Sequence, residues 1–208
     1  MRVFIVDGNN QYDELFRSMG HSLVSTIDFA EMLCFTGGSD VSPEIYGDKA
    51  HPYTGYDRNR DQYEFNLFNR AVELGIPMVG ICRGGQFLNV MNGGRMYQHV
   101  SKHTAPHEII DLQTGETVLV SSTHHQMMMM APNGLLVASS ALAGTREWFD
   151  GQIAKKDVSE EDIEVVYYED SNCLCFQPHP EFSSPEYEPM RDYFERLINK
   201  FLVWKPVS

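Results

Sequence analysis

The stretch Pro77-Met78-Val79-Gly80-Ile81-Cys82-Arg83-Gly84-Gly85-Gln86-Phe87-Leu88-Asn89-Val90-Met91 constrains the fold more than any other, because an apolar run there meets a cysteine, then glycines, then helical spacing. Met78 to Ile81 is a short, wholly apolar run of the kind found in strands covered on both faces, and Pro77 is tolerated at its first position. Gly80 and Gly84 flank Cys82 in a G-x-C-x-G pattern. This is the cysteine form of a nucleophile elbow, in which a strained strand-to-helix turn pushes the side chain into the open and small neighbours avoid clashes. The spacing predicts a helix over Gln86 to Met91 whose N-terminus points at Cys82, where its partial positive charge favours a thiolate. A buried, inert cysteine at a strand-to-helix turn satisfies the same short pattern.

Upstream, Arg2 to Val6 is an apolar, β-rich run ending at Asp7-Gly8, and Tyr12 to Met19 carries helical spacing until Gly20. Ser22 to Ser25 and Met32 to Thr36 read as further strands. The second ends in Gly37-Gly38, where the backbone can turn sharply and present N–H groups to a ligand. The irregular segment Ser39 to Tyr56, with Pro43, Gly47, Pro52 and Gly55, is of the kind that covers a site. Asp61-Gln62-Tyr63-Glu64 fits a capping box with Asp61 as the cap, opening a helix through Phe65, Phe68, Ala71 and Val72 to Gly75. This alternation predicts an α/β fold with a mostly parallel central sheet, helices on both faces and ligands at the carboxyl ends of the strands.

Beyond Asn92-Gly93-Gly94 the texture changes to antiparallel strands: Glu108 to Leu112, Glu116 to Ser121, Leu135 to Ser139 and Glu164 to Tyr168, with Cys173 to Gln177 after them. A last helix, capped by Ser184 with Pro185 in its first turn, runs through Phe194, Leu197, Ile198 and Phe201. No linker or low-complexity segment divides the 208 residues, so residues 1–208 are expected to form one domain.

A formal net charge of −13 argues against a nucleic-acid partner, which would require clustered Lys and Arg. No charged-then-apolar leader and no bilayer-length apolar run are present, so neither secretion nor membrane insertion is expected and a cytoplasmic location follows. Cys34, Cys82, Cys173 and Cys175 lack the C-x-x-C spacing of zinc and redox sites and read as reduced thiols. Cys173 and Cys175 share one strand face, and with Cys34 they read as packing residues.

Three separated patterns can now be taken together: Thr36-Gly37-Gly38-Ser39-Asp40-Val41-Ser42-Pro43 with Tyr46-Gly47, then Gly80-Ile81-Cys82-Arg83-Gly84-Gly85-Gln86, then His179-Pro180-Glu181. With Arg60-Asp61, Asn89-Val90, Gly93-Gly94 and Ser122-Thr123-His124-His125-Gln126, they resemble class I glutamine amidotransferase-like domains, specifically the gamma-glutamyl hydrolase branch and its gamma-glutamyl-GABA hydrolases. The resemblance implies a flavodoxin-like fold with the smaller antiparallel region beside its sheet, a small-molecule gamma-glutamyl substrate and no cofactor. It also implies a substrate contact from Gly37, Gln86, His124 and Gln126. Pro178, Thr123 and a short segment from Gly144 to Glu164 depart from the family's pattern.

The residues themselves outline the chemistry. A thiol is mostly protonated at neutral pH, so a working Cys82 needs a base within reach and a group that orients the base. His179 and Glu181 supply both, since residues two apart in an extended segment point the same way. The oxyanion formed by attack on an amide needs preplaced donors, for which the backbone N–H groups of Arg83 and Gly38 are the candidates. His99, His103 and His107 are spaced four apart, but Pro106 and the lack of partner ligands argue against a metal site. The leading reading is a cysteine hydrolase of a gamma-glutamyl amide. The second is a glutaminase subunit delivering ammonia to a separate synthetase or amidoligase, and the third a non-catalytic gamma-glutamyl-binding protein. A homodimer is compatible with each.

Overall fold

A computed structural model describes residues 1–203; of the stretch expected to form one domain, residues 204–208 lie outside the described part. The chain opens with β1 (Arg2–Val6), α1 (Asn10–Ser18), β2 (Ser22–Val24), β3 (Met32–Phe35), α2 (Arg58–Leu74), β4 (Met78–Ile81) and α3 (Arg83–Met91). There follow β5 (Arg95–Tyr97), β6 (His99–Val100), β7 (His107–Asp111), β8 (Thr117–Val120), β9 (Met127–Met129) and β10 (Leu135–Ser140). The last elements are β11 (Thr145–Asp150), β12 (Ile153–Val158), β13 (Asp162–Tyr168), β14 (Cys173–Phe176) and α4 (Glu188–Phe201).

Nine strands form one sheet in the order β2-β1-β3-β4-β14-β13-β10-β7-β8. The pairs from β2 to β14 are parallel. From β14 onward the pairs are antiparallel, so the antiparallel strands extend the central sheet. β13 and β7 oppose the common direction, while β10 and β8 return to it. Two small sheets, β12-β11-β6 and β5-β9, stand apart among the described residues.

Strand alternation divides the core between the two faces of this sheet. Met32, Cys34, Val79, Leu174 and Phe176 pack with Tyr12, Leu15 and Phe16 of α1 and Tyr193, Phe194 and Leu197 of α4. Leu33, Phe35, Met78, Cys173 and Cys175 pack on the other face with Phe68 and Ala71 of α2 and Phe87 and Leu88 of α3. All four cysteines are free. Met127, Met128 and Met129 form β9, with Met127 and Met128 fully buried.

Two predicted helix caps are corrected. Asp57, not Asp61, caps α2 by accepting from the N–H groups of Asn59 and Arg60 at 2.9 and 3.4 Å. The helix therefore starts a turn earlier and carries Asp61 and Glu64 on its buried face. Ser184 makes no side-chain cap; a single 3₁₀ turn over Pro185–Tyr187 precedes α4. The β11–β12 hairpin was not read from the sequence, because its strands are mostly half-exposed or exposed and carry no clean apolar alternation.

The glycines of the elbow are packing requirements. A methyl on Gly84 would overlap the Phe35 carbonyl of β3, and one on Gly80 would overlap the backbone of Gly84 and Gly85. The neighbours are backbone atoms of the central sheet and the helix start, which cannot yield as a flexible side chain can. Gly84→Ala is thus expected to cost about 3 kcal/mol or more, read as a lower urea midpoint; an unchanged midpoint would show that α3 can retreat from β3.

Candidate active site

β4 delivers the chain to Cys82 at the centre of the sheet, and α3 begins with the next residue. The Cys82 N–H donates to the Phe176 carbonyl at 2.8 Å, and its own carbonyl accepts from Gln86 N–H at 3.0 Å. Held from both sides, Cys82 adopts φ 52° and ψ −112°. That backbone strain is characteristic of functional turns, where surrounding structure over-determines one residue.

Directly beyond β14, the segment 177–181 runs past the elbow. His179 Nδ1 lies 2.7 Å from a Glu181 oxygen, and the ring edge and Cys82 Cβ both approach Gly37. Ser121 fixes the His179 backbone, accepting from its N–H at 2.9 Å and donating to its carbonyl at 3.2 Å. Phe182 stacks on the ring, with centroids 4.8 Å apart. Burial pulls the His179 pKa down, but the interactions with Cys82 and Glu181 outweigh it and raise the value to about 10. The fold therefore favours the imidazolium. By linkage, the stability His179 contributes is complete below its ordinary value of 6.5 and is lost as pH rises through about 10. An imidazole NMR titration should give a His179 midpoint near 10 that falls in Glu181→Gln; an unshifted midpoint would deny Glu181 its influence on the ring.

The Gly37-Gly38 turn closes the other side. A methyl built on Gly37 would lie 3.2 Å from His179 Cε1 and 3.8 Å from Cys82 Cβ. Gly38 has φ +141°, a conformation that side chains rarely adopt. Among the described residues, no loop hydrogen bond takes up the N–H of Gly38 or of Arg83. Tyr12 accepts from the Gly37 N–H at 3.0 Å. Its phenol is pushed up by burial and by the charge of Glu181.

Sequence reasoning missed how these parts are tied together. The Arg83 side chain turns away from the cleft and is buried between Asp61 and Glu64 of α2, ion-paired with both. Glu64 also accepts from Arg60 Nε at 2.8 Å. Arg60 in turn donates to the carbonyls of Gly37 at 3.0 Å and Thr36 at 2.9 Å. One buried charge network that includes Arg60 thus joins the elbow to the Gly-Gly turn. Desolvation lowers the Arg83 pKa to about 10 despite these partners. Gln177, another unassigned residue, donates from Nε2 to the Cys82 sulfur at 3.6 Å. The signal for it was the alternation that relates it to His179.

A cleft of about 270 Å³ opens beside Cys82, lined in part by Gly38, Arg83, Gln86, His124 and Gln126. Gly37 does not line it; it lies under the turn against His179 and Tyr12. Gln86 Nε2 donates to the Gln126 carbonyl and to Gln177 Oε1, both at 3.1 Å, which leaves its Oε1. His124 is held neutral by burial, with the neighbouring His103 adding to the effect. Asp40 accepts from the Gly55 N–H at 2.8 Å, anchoring the covering segment, and lies 3.2 Å from His125. Among the described residues, no helix is long and apolar enough to cross a membrane.

The Peptidase C26 family profile matches residues 16–113. "Putative glutamine amidotransferase-like protein YvdE homolog" of Lactococcus lactis subsp. cremoris is 30% identical over 59% of this chain and 82% of its own length. "Putative glutamine amidotransferase Rv2859c" of Mycobacterium tuberculosis is 34% identical over 61% of this chain, which spans only 47% of that relative. The fold is similar to that of a glutamine amidotransferase from Thermotoga maritima, with TM-score 0.61, 14% identity and coverage of 96% and 84% of the two chains. PurLQS from the same organism gives TM-score 0.62, 18% identity and coverage of 96% and 98%. On its sequence, its fold and its strained Cys82 turn, this chain belongs to the class I glutamine amidotransferase-like family, Peptidase C26.

Proposed function

We propose that the chain is a cysteine-dependent amidohydrolase that cleaves a gamma-glutamyl amide. The observation that carries the reading is the strained Cys82 turn with the His179–Glu181 pair beside it: a methyl on Gly37 would lie 3.8 Å from Cys82 Cβ and 3.2 Å from His179 Cε1. In this reading the Cys82 thiolate attacks the amide carbonyl, and the oxyanion is received by the N–H groups of Arg83 and Gly38. The His179 imidazolium then gives its proton to the departing nitrogen, leaving a glutamyl thioester on Cys82. Neutral His179 next deprotonates a water, whose attack releases glutamate and returns the proton to the catalytic pair. Glu181 holds the imidazole by Nδ1 throughout, and Gln86, His124 and Gln126 bound the space for the glutamyl group.

A second reading, a glutaminase subunit that passes ammonia to a separate synthetase or amidoligase, draws support from a match to "Carbamoyl phosphate synthase small chain" of Neisseria meningitidis, 26% identical over 65% of this chain and 32% of that protein. A panel of gamma-glutamyl amines, glutamine and alpha-glutamyl controls separates the two, with mass spectrometry of the trapped Cys82 adduct. The hydrolase predicts turnover by the isolated chain and a higher kcat/KM on a gamma-glutamyl amine than on glutamine. Glutamine turnover that appears only when a second protein is added would decide for the subunit.

A further inference from the structure

Behind the wall of the cleft lies a second group of titratable side chains that the proposed chemistry does not use. His103 follows β6, His124 follows β8, and Glu164 sits in β13, so three separate parts of the chain meet there. Each offers a potential ligating atom, and these atoms all lie within 4.8 Å of one another. His103 and Glu164 are 1% and 0% exposed at their side chains, and His124 is 4% exposed as a residue.

The outer hydrogen bonds of the two imidazoles fix what the inner atoms can be. His124 Nδ1 lies 2.8 Å from the Gln126 carbonyl oxygen, which can only accept, so this nitrogen carries the proton and Nε2 presents a lone pair. His103 Nε2 lies 3.0 Å from an Asp162 carboxylate oxygen and donates to it, which leaves Nδ1 as the nitrogen that can offer a lone pair. Glu164 Oε1 is occupied by His107 Nε2 at 2.9 Å and by the Ser140 hydroxyl at 3.1 Å. Glu164 Oε2, His103 Nδ1 and His124 Nε2 are all buried and have no hydrogen-bond partner. His103 Nδ1 lies 3.6 Å from Glu164 Oε1, so three buried side chains meet here with an unpartnered polar atom on each, a costly arrangement in a dry interior. The other positive groups facing the two carboxylates are His107, beside Glu164, and Arg146, which acts on Asp162 from its pair with Asp157.

We propose that His103, His124 and Glu164 bind a zinc ion. A two-nitrogen, one-oxygen donor set suits zinc better than magnesium or calcium, which prefer all-oxygen shells. Each histidine already donates its remote N–H to a carboxylate or a carbonyl, the outer-shell pattern that orients metal-binding imidazoles. Tetrahedral zinc with bonds of about 2.0–2.1 Å sets its donors about 3.4 Å apart, so the three side chains close inward by small rotations. Because His124 and Gln126 line the cleft, the ion acts as a staple that fixes this wall against β13 and the loop after β6. His99, His103 and His107, spaced four apart in the sequence, do not form one set: His107 turns to Glu164, while His99 stacks on His51.

The test uses the full chain refolded with zinc, desalted and analysed by elemental mass spectrometry, and refolded with cobalt for its visible spectrum. About one equivalent of zinc and an intense tetrahedral cobalt band are expected. Asp162→Asn keeps every ligand but loses the carboxylate that sets the His103 tautomer, and should weaken zinc binding by about 10- to 100-fold. Glu164→Gln should abolish it. Wild-type protein with less than about a tenth of an equivalent of zinc and a doubly protonated His103 by imidazole ¹⁵N NMR would overturn the proposal and assign the inner atoms to a shared proton. Full occupancy in Glu164→Gln would likewise overturn it, by placing the ion elsewhere. Neither readout depends on the substrate reading above.

Discussion

Cys82→Ala is expected to lower kcat by a factor on the order of 10⁴ to 10⁶ while leaving the fold in place. The thioester cannot form without the sulfur, and the remaining cleft can offer only binding and the two N–H donors. Structurally the change is small: Cys82 ends a strand, caps α3 only through its backbone, and keeps its positive φ as alanine would. Cys82→Gly sharpens the test. Glycine occupies this region of φ without steric cost, so this variant should be as inactive as Cys82→Ala yet more stable by about 1 kcal/mol. Rates within tenfold of wild type in Cys82→Ala would remove Cys82 from the mechanism. A destabilised Cys82→Gly would show that no strain is stored at the elbow.

Glu64→Ala should be the most damaging change away from the cleft. Glu64 is fully buried and pairs with both Arg60 and Arg83, so truncating it strands two guanidinium groups with one fewer partner in a dry site. Breaking a buried ion pair by removing one member typically costs about 3–5 kcal/mol. For a chain of this length that lowers Tm by roughly 6–20 °C at about 2–4 °C per kcal/mol, read by differential scanning calorimetry. Activity should fall as well, because Arg60 holds the Gly37 and Thr36 carbonyls and Arg83 begins the helix behind Cys82. Glu64→Gln, which retains an acceptor, should lie between wild type and alanine. A loss below about 1 kcal/mol in Glu64→Ala would mean that Asp61 alone satisfies Arg83 and that the network does not couple the two loops.

The elbow was legible because its determinants are local. An apolar run, a nucleophile and glycines at fixed offsets specify a strand, a strained turn and a helix whatever surrounds them, and the structure shows why Gly80 and Gly84 admit no methyl group. The pairing of His179 with Glu181 was legible for the same reason, since two-residue alternation decides it. The parallel half of the sheet also followed from alternating strands and helices. The Asp61–Glu64 segment shows where such reading stops: its residue types satisfy a helix cap equally well, and only the approach of Arg83 from another helix turns both carboxylates inward.

The remaining assignments depended on distance through space rather than along the chain. Tyr12 reaches Gly37 because α1 packs on the same face as the central strands, and Ser121 reaches His179 because β8 ends beside the segment that follows β14. The histidine cluster is the clearest case. His103, His124 and Glu164 are far apart in sequence, and no local spacing relates them. Short-range periodicity determined the strands, the turns and the orientation of neighbouring side chains. Which buried polar groups face one another was decided only by tertiary packing, because desolvation makes each such group seek its partner wherever the chain brings one.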